Sequence, residues 1–313
     1  VIALLAPGQG AQSPGMLSAW LELDGAERRL TAWSERTGLD LIRLGTTADA
    51  EEIKDTAVTQ PLIVALTLLA HEELTRRVEI PAGAPAAGHS VGELAAAAMA
   101  GVLSADDAVA LAAVRGAEMA AACALEPTGM TAVMGGDQEE LLATLADLGL
   151  TPANRNGAGQ TVVAGSLAAL DKLSENPPAG TKLVRLKVAG AFHTGYMAPA
   201  EEKLRAHAER ITVADPNRPL LSNADGAVVT TGSEMLRRLV AQVTLPVRWD
   251  ACMAALRERG VTATIELPPA GALSGLVKRE LRGTATLAVK TPADLDKVAD
   301  LVAEHATADG GAR

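Results

Sequence analysis

Apolar residues arrive along this chain in short runs cut by glycine and proline, alternating with longer stretches in which they recur every three or four positions. "VIALLA" (1–6) is a continuous apolar run ended by Pro7-Gly8, the pattern of a buried strand feeding a turn. Helical spacing follows near 15–24, 26–37, 49–54 and 59–77. "APAAG" before His89 predicts another strand in spite of the poor β-propensity of alanine, and a helix begins near Val91. Ser104 caps the next helix, which carries Asp106 and Asp107 in its first turn and runs to about 122.

From about 128 the pattern changes. "GMTAVMGG" is strand-like, 137–148 helical, "TPANRNGAGQTVVAG" a strand–turn–strand, 167–175 helical and "TKLVRLKV" an alternating strand. The order β-α-β-β-α-β is the ferredoxin-like split motif, punctuated by Pro177-Pro178 and Gly190. After 192 buried-strand runs and helical stretches alternate again: helix 197–210, strand "PLLSN", helices 233–243 and 249–259, strand "TATIEL", helix 271–281, strand "TATLAV" and a C-terminal helix. Strands alternating with helices imply a mostly parallel sheet covered on both faces. Only the last residues, "TADGGAR", read as disordered.

The 313 residues suffice for one large domain with a smaller insert. With 48% hydrophobic but only 2% aromatic residues, the core has to be built from Ala, Leu and Val. A net charge of −10 disfavours nucleic acid, which selects a basic face, but leaves room for a protein that docks on a local basic patch. Cys123 and Cys252 lie in apolar helical contexts without metal-ligand spacing and read as buried free thiols. The longest apolar stretch, "TAVTQPLIVALTLLA" from 56, holds Gln60-Pro61 and runs into His71-Glu72-Glu73, so no membrane span is expected. A strand and turn stand where a basic leader would be, which reads as a soluble cytoplasmic protein.

The candidate chemistry begins at "GHSVGE" (88–93). Gly-X-Ser-X-Gly between a strand and a helix is the pattern of a nucleophile elbow: flanking glycines permit the tight turn, and the helix N-terminus aims N–H groups at negative charge. The competing structural reading is a capping box, with Ser90 as cap and Glu93 three residues on. A nucleophilic serine needs a base. His71, His207 and His305 read as solvated or half-buried helix residues, and His89 adjoins Ser90 and points elsewhere. That leaves His193, in the strand-to-helix loop "KVAGAFHTGYM". No acid stands out as its partner, and a backbone carbonyl can hold the Nδ1 proton equally well.

Arg115 lies on a helical stripe with Leu111, Ala112 and Met119, where a buried charge needs a partner. Either Glu118, one turn on, supplies it, or the guanidinium awaits a substrate carboxylate. "PGQGAQ" (7–12) is a glycine-flanked turn able to present N–H groups as half of an oxyanion hole, with the Val91 amide as the other half. No Lys-Ser/Thr pair follows, so it is not a phosphate loop. To this point the residues support an acyl-transferring serine enzyme, with a serine hydrolase or thioesterase, or a scaffold with a relic elbow, as rivals.

"PGQGAQ", "GHSVGE", the arginine of "VRG", "GAFHT", "SNADG" and "PVRW" occur in the order seen in malonyl-CoA:acyl-carrier-protein transacylases and in the acyltransferase domains of polyketide and fatty acid synthases. The chain resembles that family over essentially its whole length. The fold expected is α/β: an α/β-hydrolase-like core over 1–127 and 192–313 with a mostly parallel sheet, and an inserted ferredoxin-like subdomain over 128–191. The resemblance implies ping-pong transfer of malonyl from malonyl-CoA to acyl carrier protein, with Ser90 as nucleophile and His193 as base. It places Gln9 and Val91 amides at the oxyanion, Arg115 on the malonyl carboxylate, and the Gln242 main-chain carbonyl behind His193. In related polyketide enzymes a phenylalanine before the histidine accompanies malonyl selection, and here that residue is Phe192.

No metal or redox cofactor is implied, and a monomer is expected. Carrier docking would call on Lys182, Arg185 and Lys187, or on Lys278, Arg279 and Arg282. Two departures stand out. Glu266-Leu267-Pro268-Pro269-Ala270 replaces the family's Glu-x-Gly-Pro-Gly, and a glycine follows Thr194 where the family starts a helix.

Overall fold

In the computed structural model, which describes residues 1–306, the chain folds around two β-sheets; the "TADGGAR" tail lies outside the described residues. The strands are β1 (Ile2–Ala6), β2 (Ala86–Gly88), β3 (Thr128–Gly135), β4 (Thr151–Gly157), β5 (Gln160–Ser166), β6 (Thr181–Arg185), β7 (Leu220–Leu221), β8 (Val228–Val229), β9 (Ala263–Glu266) and β10 (Ala285–Ala288). The larger sheet has the order β10-β9-β1-β2-β7-β8, parallel throughout except for the antiparallel β7–β8 pair. Helices cover both of its faces, which is why β1 is apolar at every position and fully buried. Leu4, Ala86 and Ile265 pack on one face with the helices Thr56–Arg77 and Gly92–Met99. Ala3, Leu5 and Ala87 pack on the other with Trp249, Met253 and Val277.

The second sheet runs β4-β5-β3-β6 and is antiparallel at every pairing, the arrangement the split βαββαβ pattern predicts. Val133 and Val163 on one face meet Leu141 and Leu145 of the helix Gln138–Leu148 and Leu170 and Leu173 of the helix Leu167–Glu175. Met130, Ala132, Val162 and Ala164 on the other face join the core of the larger sheet. The small sheet therefore closes over the large one.

Register decides where chemistry can sit. Ala6 lies opposite Gly88, and Leu5 opposite Glu266, so β1, β2 and β9 end together. The loops 7–12, 89–91 and 267–271 leave from that one edge, the usual place for a ligand in a parallel sheet.

Several elements differ from the sequence reading. Only a short 3-10 turn, Trp20–Glu22, forms within 15–24. A helix that the pattern did not announce, Leu41–Thr46, is started by Asp40, which accepts the Arg43 N–H at 3.0 Å. "PLLSN" narrows to Leu220–Leu221, because the Asn223 backbone N–H and C=O bond to Glu93 and Arg248 and not to a strand. Both cysteines are buried and unpaired, as expected.

Candidate active site

Between β2 and the helix Gly92–Met99 only His89, Ser90 and Val91 are left to reverse the chain. Ser90 pays for the turn with φ +52°, a conformation that side chains other than glycine rarely adopt. A Cβ on Gly88 would lie 2.0 Å from the Gly92 oxygen, and one on Gly92 would lie 2.3 Å from the Ala6 oxygen. The elbow closes only with glycine at both positions. Asn223 Oδ1 accepts the Ser90 N–H at 2.9 Å, and Gln242 Nε2 donates to the Ser90 carbonyl at 3.1 Å. The hydroxyl caps nothing, so the capping-box reading does not hold.

His193 also has positive φ, +60°, and faces Ser90 across the cleft. Its Nδ1 donates to the Gln242 main-chain oxygen at 2.7 Å, and Nε2 lies 2.8 Å from Ser90 Oγ. A carbonyl can only accept, so Nδ1 carries the proton and Nε2 presents its lone pair to the hydroxyl. Burial, and then the nearby Arg115 cation, push the imidazole pKa down to about 3, against the raising effect of the Gln242 carbonyl. The ring is neutral at physiological pH, with the Nε2 lone pair turned to the hydroxyl. His89 is held elsewhere: Nε2 lies 2.8 Å from Asn156 Oδ1, and the ring meets Trp249 edge-on.

Arg115 is 2% exposed and does not pair with Glu118, which bonds Lys203 at 2.8 Å. Its Nη1 donates to Gln60 Oε1 at 2.7 Å. Its Nη2 donates to Gln242 Oε1 at 2.8 Å and to Ser90 Oγ at 3.3 Å. Burial lowers its pKa to about 10, opposed by Glu93, so the guanidinium stays charged at neutral pH. Two side-chain carbonyls thus hold a cation whose fork opens beside the serine hydroxyl.

The remaining expected residues fall around the same cleft. Gln9, Ser90, Phe192 and His193 line a cavity of about 80 Å³, walled by Met119, Met130, Val162, Leu186 and Val188. Phe192 is buried there, one residue before the histidine. Among the described residues the backbone N–H groups of Gln9 and Val91 meet no acceptor within the chain. The Pro268-Pro269-Ala270 loop is held at both ends. Thr67 Oγ1 donates to the Pro268 oxygen at 2.8 Å, and Glu266 accepts the N–H groups of Leu273 and Ser274 at 3.0 and 2.7 Å. No group of His, Cys, Asp or Glu among the described residues is placed to hold a metal ion, and none of their helices is long and apolar enough to cross a membrane.

Sequence reasoning missed Gln60, Asn223, the Gln242 side chain and the fate of Glu93. Glu93 is buried, accepts the Asn223 N–H at 2.6 Å and is bonded by Gln242 Nε2. Burial raises its carboxyl to about 7, against the lowering effect of those bonds and of Arg115. Polar residues on apolar stripes were the one available signal for Gln60 and Glu93.

Residues 4–307 match the acyl transferase domain family. A malonyl CoA-acyl carrier protein transacylase of Mycobacterium bovis is 62% identical over 96% of this chain and all of its own length. One from Bacillus subtilis is 33% identical over 94% of this chain and 95% of its own. Among solved structures, that of a Mycobacterium tuberculosis relative superposes with a TM-score of 0.92 at 62% identity, covering 95% of this chain and 99% of the other. A malonyl-transacylase solved with its type II polyketide acyl-carrier protein superposes at 0.90 with 28% identity, covering 96% and 99%. Two sheets, a serine elbow and near-complete overlap with these proteins agree: the chain belongs to the acyl transferase family, among the malonyl CoA-acyl carrier protein transacylases.

Proposed function

We propose that this protein moves a malonyl group from malonyl-CoA to the phosphopantetheine thiol of an acyl carrier protein, through a malonyl ester of Ser90. One observation carries the reading: Ser90 Oγ lies 2.8 Å from His193 Nε2 and 3.3 Å from Arg115 Nη2. A base alone would serve any acyl-serine enzyme. A buried guanidinium one hydrogen bond from the nucleophile suits an acyl group that ends in a carboxylate. The names of the relatives supply the donor and acceptor, and the relative solved with its carrier protein supports the partner.

In the first half-reaction the Ser90 hydroxyl proton passes to His193 Nε2 as Oγ bonds the thioester carbon. The oxyanion that forms is received by the free N–H groups of Gln9 and Val91. Collapse breaks the carbon–sulfur bond, and the departing coenzyme A sulfur takes the proton from the imidazolium. In the second half-reaction the carrier thiol gives its proton to His193 and attacks the ester. Oγ then leaves and recovers that proton. Throughout, Arg115 holds the malonyl carboxylate, with Gln60 and Gln242 keeping the fork in place. Phe192 stands beside the acyl group and excludes an added α-methyl, so malonyl is preferred over methylmalonyl. The apolar walls keep water from the ester until a thiol arrives. This reading places the protein in the cytoplasm, with no resident cofactor, supplying fatty acid or polyketide assembly.

Intact-mass measurement after adding malonyl-CoA alone should show a lasting malonyl adduct on Ser90, discharged when holo carrier protein is added. Rapid release of free malonate would establish a hydrolase instead, and absence of any adduct would refute the nucleophile.

A further inference from the structure

Glu93 takes no part in the steps above, yet it is 1% exposed and lies one helical turn beyond the nucleophile. Its Oε1 accepts the Asn223 N–H at 2.6 Å, and its Oε2 accepts from Gln242 Nε2. The other end of the same amide, Gln242 Oε1, accepts from Arg115 Nη2 at 2.8 Å. A carboxylate only accepts and a guanidinium only donates. Gln242 lies between the two, so just one of its two amide orientations satisfies both neighbours: nitrogen toward Glu93, oxygen toward Arg115. The Ser90 carbonyl and Asn223 Oδ1, each 3.1 Å from Nε2, accept in that same orientation, and Glu93 is the charged acceptor among the three. Glu93 also supplies charge. Arg115 donates to three neutral oxygens, those of Gln60, Gln242 and Ser90, and Glu93 is the carboxylate whose field it feels.

We propose that Glu93 is a positioning residue of the transfer reaction, which fixes the Gln242 amide and through it aims the Arg115 fork at the acyl carboxylate. This rests on the malonyl-transfer reading. A carboxylate on the far side of an amide suits the task better than one bonded directly to the arginine, because a direct ion pair would occupy the fork that the substrate needs.

The test is single-turnover loading of Ser90 at about pH 8 from malonyl-CoA and, separately, acetyl-CoA, for wild type, Glu93→Gln, Gln242→Leu and the double variant. In Glu93→Gln a single amide oxygen cannot accept from both the Asn223 N–H and Gln242 Nε2, so Gln242 loses its charged acceptor, keeps only the 3.1 Å contacts to the Ser90 carbonyl and Asn223 Oδ1, and holds the Arg115 fork less firmly. Losing one hydrogen bond to a charged group predicts a fall of about 10- to 100-fold in malonyl loading. Acetyl, which makes no demand on the fork, falls far less. Gln242→Leu should lower the malonyl-to-acetyl ratio in the same way, and the double variant no further than the lower single.

A merely structural Glu93 would lower both substrates equally. An unchanged ratio in Glu93→Gln, or losses that multiply in the double variant, overturns the proposal. Should melting curves show Glu93→Gln unfolded, Gln242→Leu decides alone, and an unchanged ratio there overturns it too. A wild-type protein that loads no malonyl overturns the transfer reading and this proposal with it, whereas one that loads normally confines any failure to Glu93.

Discussion

Replacing Arg115 by alanine removes a cation that is 2% exposed and donates to Gln60, Gln242 and Ser90. If the guanidinium holds a malonyl carboxylate through two charge-assisted bonds, each contributes about 1.5–3 kcal/mol. Breaking one partner of a buried charge pair costs about 3–5 kcal/mol. At about 1.36 kcal/mol per decade, kcat/KM for malonyl-CoA should fall by roughly two to four orders of magnitude. Acetyl-CoA carries no carboxylate and loses only the 3.3 Å contact from Nη2 to Ser90 Oγ, so its loading should change by less than about tenfold. The relevant measurement is single-turnover acylation of Ser90, followed by intact mass with each thioester in turn, and the diagnostic quantity is the ratio of the two losses. Arg115→Lys keeps the charge without the fork and should fall between the extremes. Equal losses for malonyl and acetyl would refute the reasoning, because they would make Arg115 a prop for the elbow and not a receptor for the acyl group.

Phe192→Ser should raise methylmalonyl loading relative to malonyl, read by competition between the two thioesters; an unmoved ratio would remove the ring from selectivity. Gln60→Glu puts a carboxylate at the 2.7 Å contact with Arg115 Nη1, an internal competitor for the fork. Malonyl loading should fall at least about tenfold while acetyl loading persists, and a variant that loads malonyl normally contradicts the assignment. Stability should rise with pH between about 4.5 and 6.5. His71 and His193 have folded pKa values lowered from 6.5 to about 4 and about 3, chiefly by burial, so their contribution is whole above 6.5 and lost as pH falls. Glu93, raised from 4.5 to about 7, acts in the opposite sense: its contribution is whole below 4.5 and lost as pH rises through 7. Two histidines outweigh one carboxylate, and His89, lowered by burial as well, acts with them, leaving a net slope of at least about 1.4 kcal/mol per pH unit in this window. Urea unfolding at pH 5 and 6.5 checks it, and a slope of the opposite sign would mean that the fold does not hold these histidines neutral.

The parts of this fold legible in the sequence were those with local causes. The β1 run ended by Pro7-Gly8, the Ser104 cap and the βαββαβ rhythm each announce themselves within a few residues. Ser90 was legible because the flanking glycines are required by contacts inside the turn itself. His193 came by elimination among five histidines, and the structure sets its Nε2 2.8 Å from Ser90 Oγ. Arg115 was visible as a charge on an apolar stripe, but its partner was not. Spacing along one helix proposed Glu118, whereas the oxygens that hold the cation come from Gln60 and Gln242, 55 and 127 residues away. The same limit hid Asn223, which reaches Ser90 across 133 residues. Glu93 looked like a capping-box partner because helical spacing cannot tell a carboxylate that turns back to its own cap from one that turns inward.

The imidazole at the centre of the site has a main-chain carbonyl behind it and no carboxylate, and the buried charges make sense of that arrangement. An acid hydrogen-bonded to His193 Nδ1 would raise the imidazole pKa and stabilise the imidazolium. It would also add a negative charge close to Arg115, in competition with the substrate. The Gln242 carbonyl fixes the same tautomer at 2.7 Å while adding no net charge. In the first half-reaction the leaving group eases the demand on the base, since a thiol with a pKa near ~8.5 departs far more readily than an alcohol or amine, and in the second the departing Ser90 Oγ takes back at once the proton that the carrier thiol gave to His193. A proton therefore needs to rest on the imidazole only briefly. Transfer between two thiols of similar acidity is close to balanced in either direction, so the site gains nothing from a strongly stabilised imidazolium. What it needs is a cation beside the serine with no carboxylate bonded to it. The side-chain amides of Gln60 and Gln242, which hold Arg115 without neutralising it, meet that need.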